Sequence, residues 1–356
     1  MHEYKIAVYP GDGIGIDVVT EAVKVLRAIE HKFSLALHLD EFNWGSRYWR
    51  ETGKVVPADF LEILKPYDAI FLGAIGDPSN LPDHVTLVPL ITIRQTFDQY
   101  VCLRPAQLLP GVSTPLADKK PGDIDIVVVR ENSEGEYVDV GGMFKPAQAD
   151  EVSLQTAVHT RKGVERILRY SFELAQHRRK HLTMATKSNA FKYGMVMWDR
   201  ILTEIASDYP DVRFDKCHID ALSMNFVRCP EVYDVVVGSN LFGDILSDLG
   251  GAIVGSLGLA PSANIRPDRQ FPSLFEPVHG SAPDIAGKGI ANPIAAIRSA
   301  AMMLDFLGEH QAAHIIDAAV AANLAAKAIR TPDLGGRHTT IEVGDDIVAR
   351  ITALDL

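Results

Sequence analysis

Hydrophobic residues occur along this chain in short runs, separated by longer stretches in which apolar positions recur with helical spacing. The short runs lie at residues 5–9, 69–72, 124–129 and 182–186. Runs of this kind, rich in valine, isoleucine and leucine, are typical of strands that are buried on both faces of a sheet. We therefore predict four strands at these positions.

Stretches with helical periodicity follow the predicted strands. They comprise a helix that follows the first strand and ends near Glu30, and helices at residues 160–176, 291–307 and 317–329. The third stretch opens with Asn292 and Pro293, which predicts an asparagine N-cap with proline in the first turn. Strands that alternate with helices predict an α/β protein with a substantial parallel sheet.

The composition limits the classes of partner. The chain has 356 residues, of which 47% are hydrophobic and 23% are charged, and its formal net charge is −11. This length can bury a large core, which we expect to be divided between two lobes. The negative charge argues against nucleic acid or an anionic membrane as a partner. An acidic metabolite is still a candidate ligand if a local cationic pocket receives it.

The cysteines and the first residues bear on localisation. Cys102, Cys217 and Cys229 are odd in number and show no Cys-x-x-Cys spacing, so a disulfide framework or a zinc cluster is not expected. The sequence that starts at Met1 shows no signal-peptide pattern, and no apolar run is long enough to cross a bilayer. We expect a cytoplasmic protein.

Two aspartates, Asp244 and Asp248, follow the β-branched run 235–237, which predicts a fifth strand, buried in the parallel sheet. Ser239 is suited to begin a helix there, and we expect Gly250 and Gly251 to end it. Spacing i, i+4 places both carboxylates on one helix face, where like charges repel by a few tenths of a kcal/mol. A divalent cation such as Mg²⁺ or Mn²⁺ would reverse that repulsion. The alternative is a solvated helix face, but ligands bind at the carboxyl ends of strands in α/β sheets, which favours the metal.

A glycine-rich turn, Gly11-Asp12-Gly13-Ile14-Gly15, follows the first predicted strand. A dinucleotide-binding Gly-x-Gly-x-x-Gly motif would need a glycine where the chain has Ile16, and no suitably placed acidic residue follows. We therefore favour a tight turn whose glycines allow a ligand or another strand to approach the backbone closely.

Six segments together resemble one enzyme family: Gly11–Gly15, Leu103–Pro105, Arg130–Tyr137, Thr186–Asn189, Asn240–Asp248 and His279–Gly287. In this order they are similar to the β-decarboxylating dehydrogenases, the isopropylmalate and isocitrate dehydrogenase superfamily, and most similar to its tartrate and D-malate branch. The resemblance implies a two-lobed open α/β sandwich with a discontinuous first domain, which is not a standard Rossmann fold. It implies a large domain of residues 1–100 and 255–356 and a small domain of residues 101–254.

The resemblance also assigns roles to residues. Arg94, Arg104 and Arg130 match the substrate-binding arginines, and guanidinium groups suit a dicarboxylate because they bind carboxylates with two parallel hydrogen bonds. Leu90 matches a position in the substrate pocket. Tyr137 and Lys187 match the catalytic pair, as acid and base. Asp220, Asp244 and Asp248 match the ligands of Mg²⁺ or Mn²⁺. The family implies a homodimer, in which Lys187 and Asp220 come from the partner subunit.

The cofactor implied by the resemblance is NAD, with K⁺ as a candidate further cofactor. Asp284 and Ile285 resemble the NAD form, because a carboxylate can bind a free ribose hydroxyl and would repel a 2′-phosphate. The other residues that match the family's cofactor site are Asn189, His279, Gly280, Ser281, Ala282, Pro283 and Asn292.

The substrate is expected to be a 2-hydroxy dicarboxylic acid. The segment Leu87–Arg94 is apolar before its arginine, and a third carboxylate would be desolvated there, which disfavours isocitrate. D-malate is the favoured substrate, with conversion to pyruvate and CO₂, and tartrate oxidation is a second activity to expect. An isopropylmalate dehydrogenase and a non-catalytic regulatory subunit stay as alternatives. Pro89 within the predicted specificity helix and Cys102 depart from the branch's pattern.

Overall fold

A computed structural model describes residues 2–354 of this protein as a mixed α/β fold. The strands are β1 (Glu3–Gly11), β2 (Ala36–Glu41), β3 (Ala69–Ala74), β4 (Val101–Gln107), β5 (Asp125–Glu131), β6 (Gly141–Phe144), β7 (Val152–Gln155), β8 (His181–Thr186), β9 (Arg213–His218), β10 (Val235–Gly238), β11 (Pro261–Ile265) and β12 (Ser273–Pro277). The helices are α1 (Ile14–Phe33), α2 (Ser46–Thr52), α3 (Phe60–Leu64), α4 (Asp83–Thr86), α5 (Val88–Thr96), α6 (Arg161–Gln176), α7 (Gly194–Ala206), α8 (Ile219–Arg228), α9 (Asn240–Ile253), α10 (Ile294–Leu307), α11 (His310–Ala326) and α12 (Thr340–Ala353).

Ten of the strands form one sheet in the order β2-β1-β3-β12-β11-β4-β5-β10-β8-β9, and β6 and β7 pair separately. The strands pair in parallel from β2 to β12 and again from β5 to β9. The three pairings between β12 and β5 are antiparallel. The predicted α/β class and substantial parallel sheet are confirmed, and the antiparallel centre was not foreseen.

The five predicted strands correspond to β1, β3, β5, β8 and β10. Of the strands that were not predicted, β6, β7 and β9 have mostly exposed side chains, whereas β4, β11 and β12 are largely buried but each contains a proline, which weakens a strand pattern. One half of the ten-stranded sheet consists of β2, β1, β3, β12 and β11, from residues 3–74 and 261–277. The other half consists of β4, β5, β10, β8 and β9, from residues 101–238. The division into two domains stays a prediction.

Helices α9, α10 and α11 differ in their boundaries from the sequence predictions. Helix α9 runs through Gly250 and Gly251 to Ile253, because these glycines pack against neighbouring side chains instead of ending the helix. A Cβ on Gly251 would lie 2.5 Å from the Leu257 side chain. Helix α10 begins at Ile294, so that Pro293 is the N-cap residue, although the Asn292 Oδ1 still accepts the Ile294 N–H at 3.1 Å.

The predicted helix at residues 317–329 is instead α11, His310–Ala326, so it begins and ends earlier. Its alanine-rich sequence carries no strong start signal, and Lys327 ends it in the left-handed conformation. None of the helices within residues 2–354 is both long and apolar enough to cross a membrane. The three cysteines are free.

The glycine-rich turn brings the end of β3 and the loop near Ser281 against the start of α1. The Asp12 N–H donates to the Ala74 carbonyl at 2.7 Å, and the Ile14 N–H donates to the Ser281 carbonyl at 2.8 Å. A Cβ on Gly13 would lie 2.1 Å from that Ser281 oxygen. The tight-turn interpretation is confirmed, since the glycines admit other backbone segments that no larger residue would allow.

Replacing Gly11 with alanine is expected to destabilise the fold by about 3 kcal/mol, because the residue has φ +73° and its Cβ would lie 1.9 Å from the Ala74 carbonyl oxygen. Gly53 is a matched control, since it has φ +72° with nothing within 4 Å of a Cβ. Gly53→Ala should cost only about 1 kcal/mol of backbone strain. The midpoints of urea unfolding measure both, and equal losses would contradict the packing argument.

Candidate active site

Three buried arginines line one cavity of about 190 Å³ at the centre of the sheet. Arg94 lies on α5, Arg104 on β4 and Arg130 on β5, and their exposed fractions are 6%, 7% and 1%. We call this the arginine cavity. Other predicted residues on its wall are Leu90, Tyr137, Asp244, His279 and Gly280. The sequence-predicted substrate residues therefore meet in one place.

The local structure explains how the arginines converge. β4 and β5 are antiparallel, and Cys102 is opposite Arg130, so that Arg104 lies two residues further along the neighbouring strand. Pro89 occupies the first turn of α5, where its missing N–H costs no helical hydrogen bond, instead of interrupting a longer helix. The predicted specificity segment Leu87–Arg94 corresponds to α5, with Leu87 as its N-cap residue.

Asp244 is the shared acceptor of the cavity. Its Oδ1 accepts from the Arg104 Nη1 at 3.0 Å and also from the Arg130 Nη1, while its Oδ2 accepts from the Tyr137 hydroxyl at 2.8 Å. Burial raises the pKa of Asp244, but Arg130 and Arg104 outweigh burial and hold it below its ordinary value. Asp244 is therefore a carboxylate that draws two guanidinium groups and a phenol together.

The surroundings of the arginine cavity shift the pKa values of Arg130 and Tyr137. Burial, followed by Arg104 and Arg94, lowers the pKa of Arg130 to about 10. Burial, with Asp244 as hydrogen-bond acceptor, raises the pKa of Tyr137 to about 12, so this hydroxyl keeps its proton at neutral pH. Arg130 also lies over the Tyr137 ring, with its Cζ 5.2 Å from the ring centroid.

Several residues that hold the arginines were missed by sequence reasoning. Asn240 Oδ1 accepts from Arg130 Nε at 2.9 Å, and Ser247 Oγ accepts from Arg104 Nη1 at 2.8 Å. Glu276 at the end of β12 accepts from Arg94 Nη2 at 2.8 Å. Asn240 and Ser247 lie within the Asn240–Asp248 motif, which could have indicated them. Glu276 lies just before the His279 motif and outside it, so no predicted motif or strand indicated it.

Asp248 lies one helical turn beyond Asp244, as predicted, but it points more toward solvent. Its side chain is 61% exposed, and its Oδ1 is 3.7 Å from the Arg104 Nη1. Burial raises the pKa of Asp248, and the neighbouring Asp244 raises it further. Together they outweigh Arg104, which lowers it. The two carboxylates share one helix face at the mouth of the cavity.

Lys187 and Asp220 pair with each other away from the arginine cavity. The Lys187 Nζ donates to the Asp220 Oδ1 at 2.8 Å, and neither residue is on the cavity wall. The hydrogen bond from Lys187 lowers the pKa of Asp220. Within residues 2–354 no three acidic, histidine or cysteine side chains come together as metal ligands. One chain therefore brings Asp244 and Asp248 together, but not Asp220.

A second cavity of about 300 Å³ adjoins the first at His279, which lines both. Its wall includes four of the predicted cofactor residues, namely His279, Ala282, Ile285 and Asn292. Asp333, which sequence reasoning missed, also lines it and accepts from the Asn292 Nδ2 at 3.0 Å. We call this the histidine cavity.

The histidine cavity has a polar atom without a protein partner. The His279 Nδ1 is 2.9 Å from the Gly280 carbonyl, whereas its buried Nε2 has no hydrogen-bond partner among the described residues. Burial lowers the pKa of His279, which favours the neutral ring. A buried, unsatisfied ring nitrogen beside an apolar cavity suits a bound heterocycle.

The remaining predicted cofactor residues lie around these cavities or apart from them. Ser281 is buried beneath the glycine-rich turn, while Pro283 and Asp284 are exposed on the surface of the same loop. Asn189 is exposed in the turn after β8, near Lys187, and does not line either cavity. The roles of these residues stay predictions.

Comparisons with known proteins agree with this geometry. The family model described as isocitrate/isopropylmalate dehydrogenase matches residues 5–347. The chain is 53% identical to a D-malate dehydrogenase [decarboxylating] from Escherichia coli (strain K12), over 98% of both chains. It is 51% identical to a tartrate dehydrogenase/decarboxylase from Pseudomonas putida, over 99% of both. The crystal structure of isocitrate dehydrogenase from Methylococcus capsulatus superposes with a TM-score of 0.89 at 38% identity, covering 99% of each chain.

Proposed function

Since this chain belongs to the isocitrate/isopropylmalate dehydrogenase family, we propose that it is an NAD-dependent and divalent-metal-dependent dehydrogenase that oxidatively decarboxylates D-malate. The products are pyruvate, CO₂ and NADH, and tartrate is a second substrate. The observation that carries the proposal is the arginine cavity, in which three buried guanidinium groups face Tyr137 and Asp244. The two curated relatives named for D-malate and tartrate favour these acids within the family.

The cavity's charge suits a dicarboxylate. Arg94, Arg104 and Arg130 supply three positive charges, which Asp244 and Glu276 balance only in part. A small dianion can therefore bind there in an otherwise acidic protein. The wall on the side of α5 is apolar, with Leu87, Leu90 and Ile91. A third carboxylate against this wall would lose its hydration without a partner, which disfavours isocitrate.

An isopropylmalate dehydrogenase is the alternative within the family. The apolar wall formed by Leu87, Leu90 and Ile91 would accept a branched alkyl group on C3, and this is the feature that favours it. The curated relatives named for D-malate and tartrate favour an acid without the branched group instead. A non-catalytic regulatory subunit is disfavoured, because the chain retains Tyr137 and Asp244 in hydrogen-bonded contact.

The donor set at the mouth of the cavity fits a hard divalent cation. Asp244 and Asp248 offer carboxylate oxygens on one helix face, and Mg²⁺ and Mn²⁺ prefer oxygen ligands. Asp220 of the partner subunit would complete the set. When bound, the cation would supply positive charge that favours loss of the substrate's hydroxyl proton and stabilises negative charge on that oxygen. The described residues give no support for K⁺ as a further cofactor.

The histidine cavity fits the adenosine half of NAD. Ile285 and Ala282 provide apolar walls, and the unpartnered His279 Nε2 provides a polar contact. His279 lines both cavities, so a dinucleotide that lies along it would reach from one to the other. Asp284, exposed at the rim, would accept hydrogen bonds from a ribose hydroxyl and repel a 2′-phosphate.

When bound, NAD⁺ would supply the acceptor for the hydride of the hydroxyl carbon. The carboxylate on C3 leaves as CO₂, and C3 takes up a proton. Tyr137 holds the proton at its hydroxyl, which points to Asp244 within the arginine cavity, and we assign it the protonation of C3. Lys187 of the partner subunit takes the proton of the substrate's hydroxyl. Arg94, Arg104 and Arg130 orient the two carboxylates.

The position of Lys187 and Asp220 supports a homodimer. Both residues lie off the arginine cavity of their own chain, so their proposed roles need a second copy. The same region exposes large apolar side chains, namely Met143 and Phe144 on β6, Leu154 on β7, and Phe191 and Tyr193 before α7. Exposed apolar patches of this kind are typical of protein interfaces. A cytoplasmic setting would keep the three free cysteines reduced.

A substrate panel tests the proposed function. Purified enzyme with Mn²⁺ is offered D-malate, both tartrates, isopropylmalate and isocitrate, each with NAD and with NADP. We expect NADH formation with the highest kcat/KM for D-malate, and at least about tenfold less with NADP or isocitrate. The highest kcat/KM with isopropylmalate would establish the alternative. No turnover of any of these acids would reject the dehydrogenase.

A further inference from the structure

Arg166 on α6 lies outside both cavities but contacts two loops that lead into the arginine cavity. One loop joins α5, which carries Arg94, to β4, which carries Arg104. The other follows β5, which carries Arg130, and leads to Tyr137. The relative position of these two loops therefore decides how the substrate arginines and the proton donor face one substrate molecule.

Both arms of the Arg166 guanidinium are engaged, one with each loop. Its Nη1 donates to the Asp98 Oδ2 at 2.8 Å, and its Nη2 donates to the Ser133 Oγ at 2.8 Å. Its Cζ lies 4.1 Å from the centroid of the Tyr100 ring. A planar guanidinium can hold two acceptors and stack on a ring at once, which a lysine ammonium cannot do.

On the first loop, Asp98 is tied to the helix of Arg94. The Asp98 N–H donates to the Gln95 carbonyl at 3.2 Å, and the Gln99 N–H donates to the Arg94 carbonyl at 2.8 Å. Asp98 has φ +50°, a left-handed conformation that costs energy for a residue other than glycine. The ion pair with Arg166 compensates this strain, so it helps to fix the end of α5.

On the second loop, Ser133 links Arg166 to a buried carboxylate. Its hydroxyl donates to the Glu131 Oε1 at 2.7 Å, and Glu131 is 1% exposed. Glu131 also accepts the N–H groups of Ser133 and Glu134, at 3.1 and 2.8 Å. The segment between Arg130 and Tyr137 is thus held by a network that ends on Arg166.

We propose that Arg166 is a positioning residue, which holds the Arg94 helix and the Tyr137 loop in register for binding of the dicarboxylate substrate. This inference rests on the proposed function, because it assigns a role in that reaction. Arg166 acts through Asp98 and Ser133 and does not touch the cavity wall.

The test compares Arg166→Met with Arg169→Met on the same helix. Arg169 pairs with Asp208 at 2.8 Å and with Glu165 on the surface, and it contacts neither loop. Steady-state kinetics with D-malate, NAD and Mn²⁺ should show KM for D-malate raised about tenfold in Arg166→Met, with KM for NAD changed less than about twofold. Arg169→Met should leave both constants within about twofold of the wild type.

Two further variants separate positioning from folding. Asp98→Asn keeps a residue type that tolerates positive φ and removes the ion pair without altering α6. It should raise KM for D-malate in the same way, and the Arg166→Met, Asp98→Asn double variant should be no worse than the worse single variant. Arg166→Lys, which keeps the charge but not the two-armed contact, should recover less than half of the loss in log(KM).

The outcomes distinguish the two proposals. An active wild type with an unchanged KM for D-malate in soluble Arg166→Met, or additive effects with Asp98→Asn, rejects the positioning role only. If Arg166→Met does not fold, Asp98→Asn decides alone, and an unchanged KM there rejects the role. A wild type that oxidises none of the panel acids rejects the proposed function itself.

Discussion

Asp244→Asn is expected to lower kcat/KM for D-malate by about a thousandfold or more. The carboxylate accepts hydrogen bonds from Arg104, Arg130 and Tyr137, and it is a proposed metal ligand. An amide removes the negative charge between the two guanidinium groups and weakens the oxygen donor to the cation. The protein should also lose roughly 1–3 kcal/mol of stability, because two buried guanidinium groups lose their shared counter-charge.

Ser247→Ala is the matched control for Asp244→Asn. Ser247 accepts from the same Arg104 Nη1, at 2.8 Å, but it is neutral and is not a proposed metal ligand. Its loss should lower kcat/KM by about tenfold or less. Steady-state kinetics and direct titration of Mn²⁺ measure both variants. An Asp244→Asn enzyme that keeps its Mn²⁺ affinity and a kcat/KM within tenfold of the wild type would contradict the assignment.

Tyr137→Phe and Lys187→Met are each expected to inactivate the homodimer by about a hundredfold or more, yet a heterodimer of the two should be active. If Lys187 serves the partner's cavity, one site of the heterodimer contains an intact Tyr137 with an intact Lys187, and the other contains both defects. Heterodimer isolated through two different affinity tags should therefore show about half of the wild-type activity per dimer.

A second heterodimer controls for this experiment. Tyr137 and Arg104 line the same cavity of one chain, so a heterodimer of Tyr137→Phe with Arg104→Lys contains no intact site. It should be as inactive as its parents. If the heterodimer of Tyr137→Phe with Lys187→Met is equally inactive, the active sites are not shared between subunits, and the proposed role of the Lys187 and Asp220 pair is wrong.

The sequence predicted most of the residues that meet in the arginine cavity. Arg94, Arg104, Arg130 and Tyr137 do line it together, and Asp244 and Asp248 do share a helix face. The arginines and Tyr137 were assigned through the resemblance of their motifs to the family, whereas the spacing of the two aspartates is a local property of the chain. A helix started by Ser239, for example, places Asp244 and Asp248 one turn apart whatever surrounds it.

Other features could not be predicted, because they depend on packing between distant segments. The Gly250–Gly251 pair has the composition of a helix end, yet α9 continues through it. The glycines are needed within the helix because Ala106 and Leu257 approach them too closely for larger side chains. The N-cap shift to Pro293 is a similar case. Local propensity differs little between the alternatives, so tertiary contacts decide.

The sequence by itself thus determined the α/β class, the family and the chemical groups of the site. Only the tertiary structure decided which groups compensate one another: Glu276 on β12 reaches Arg94, and Arg166 on α6 reaches Asp98. The antiparallel centre of the sheet brings these segments together. A buried guanidinium needs a counter-charge, and the sequence offers 46 acidic residues as candidates. Only the folded backbone determines which of them lies close enough to pair with it.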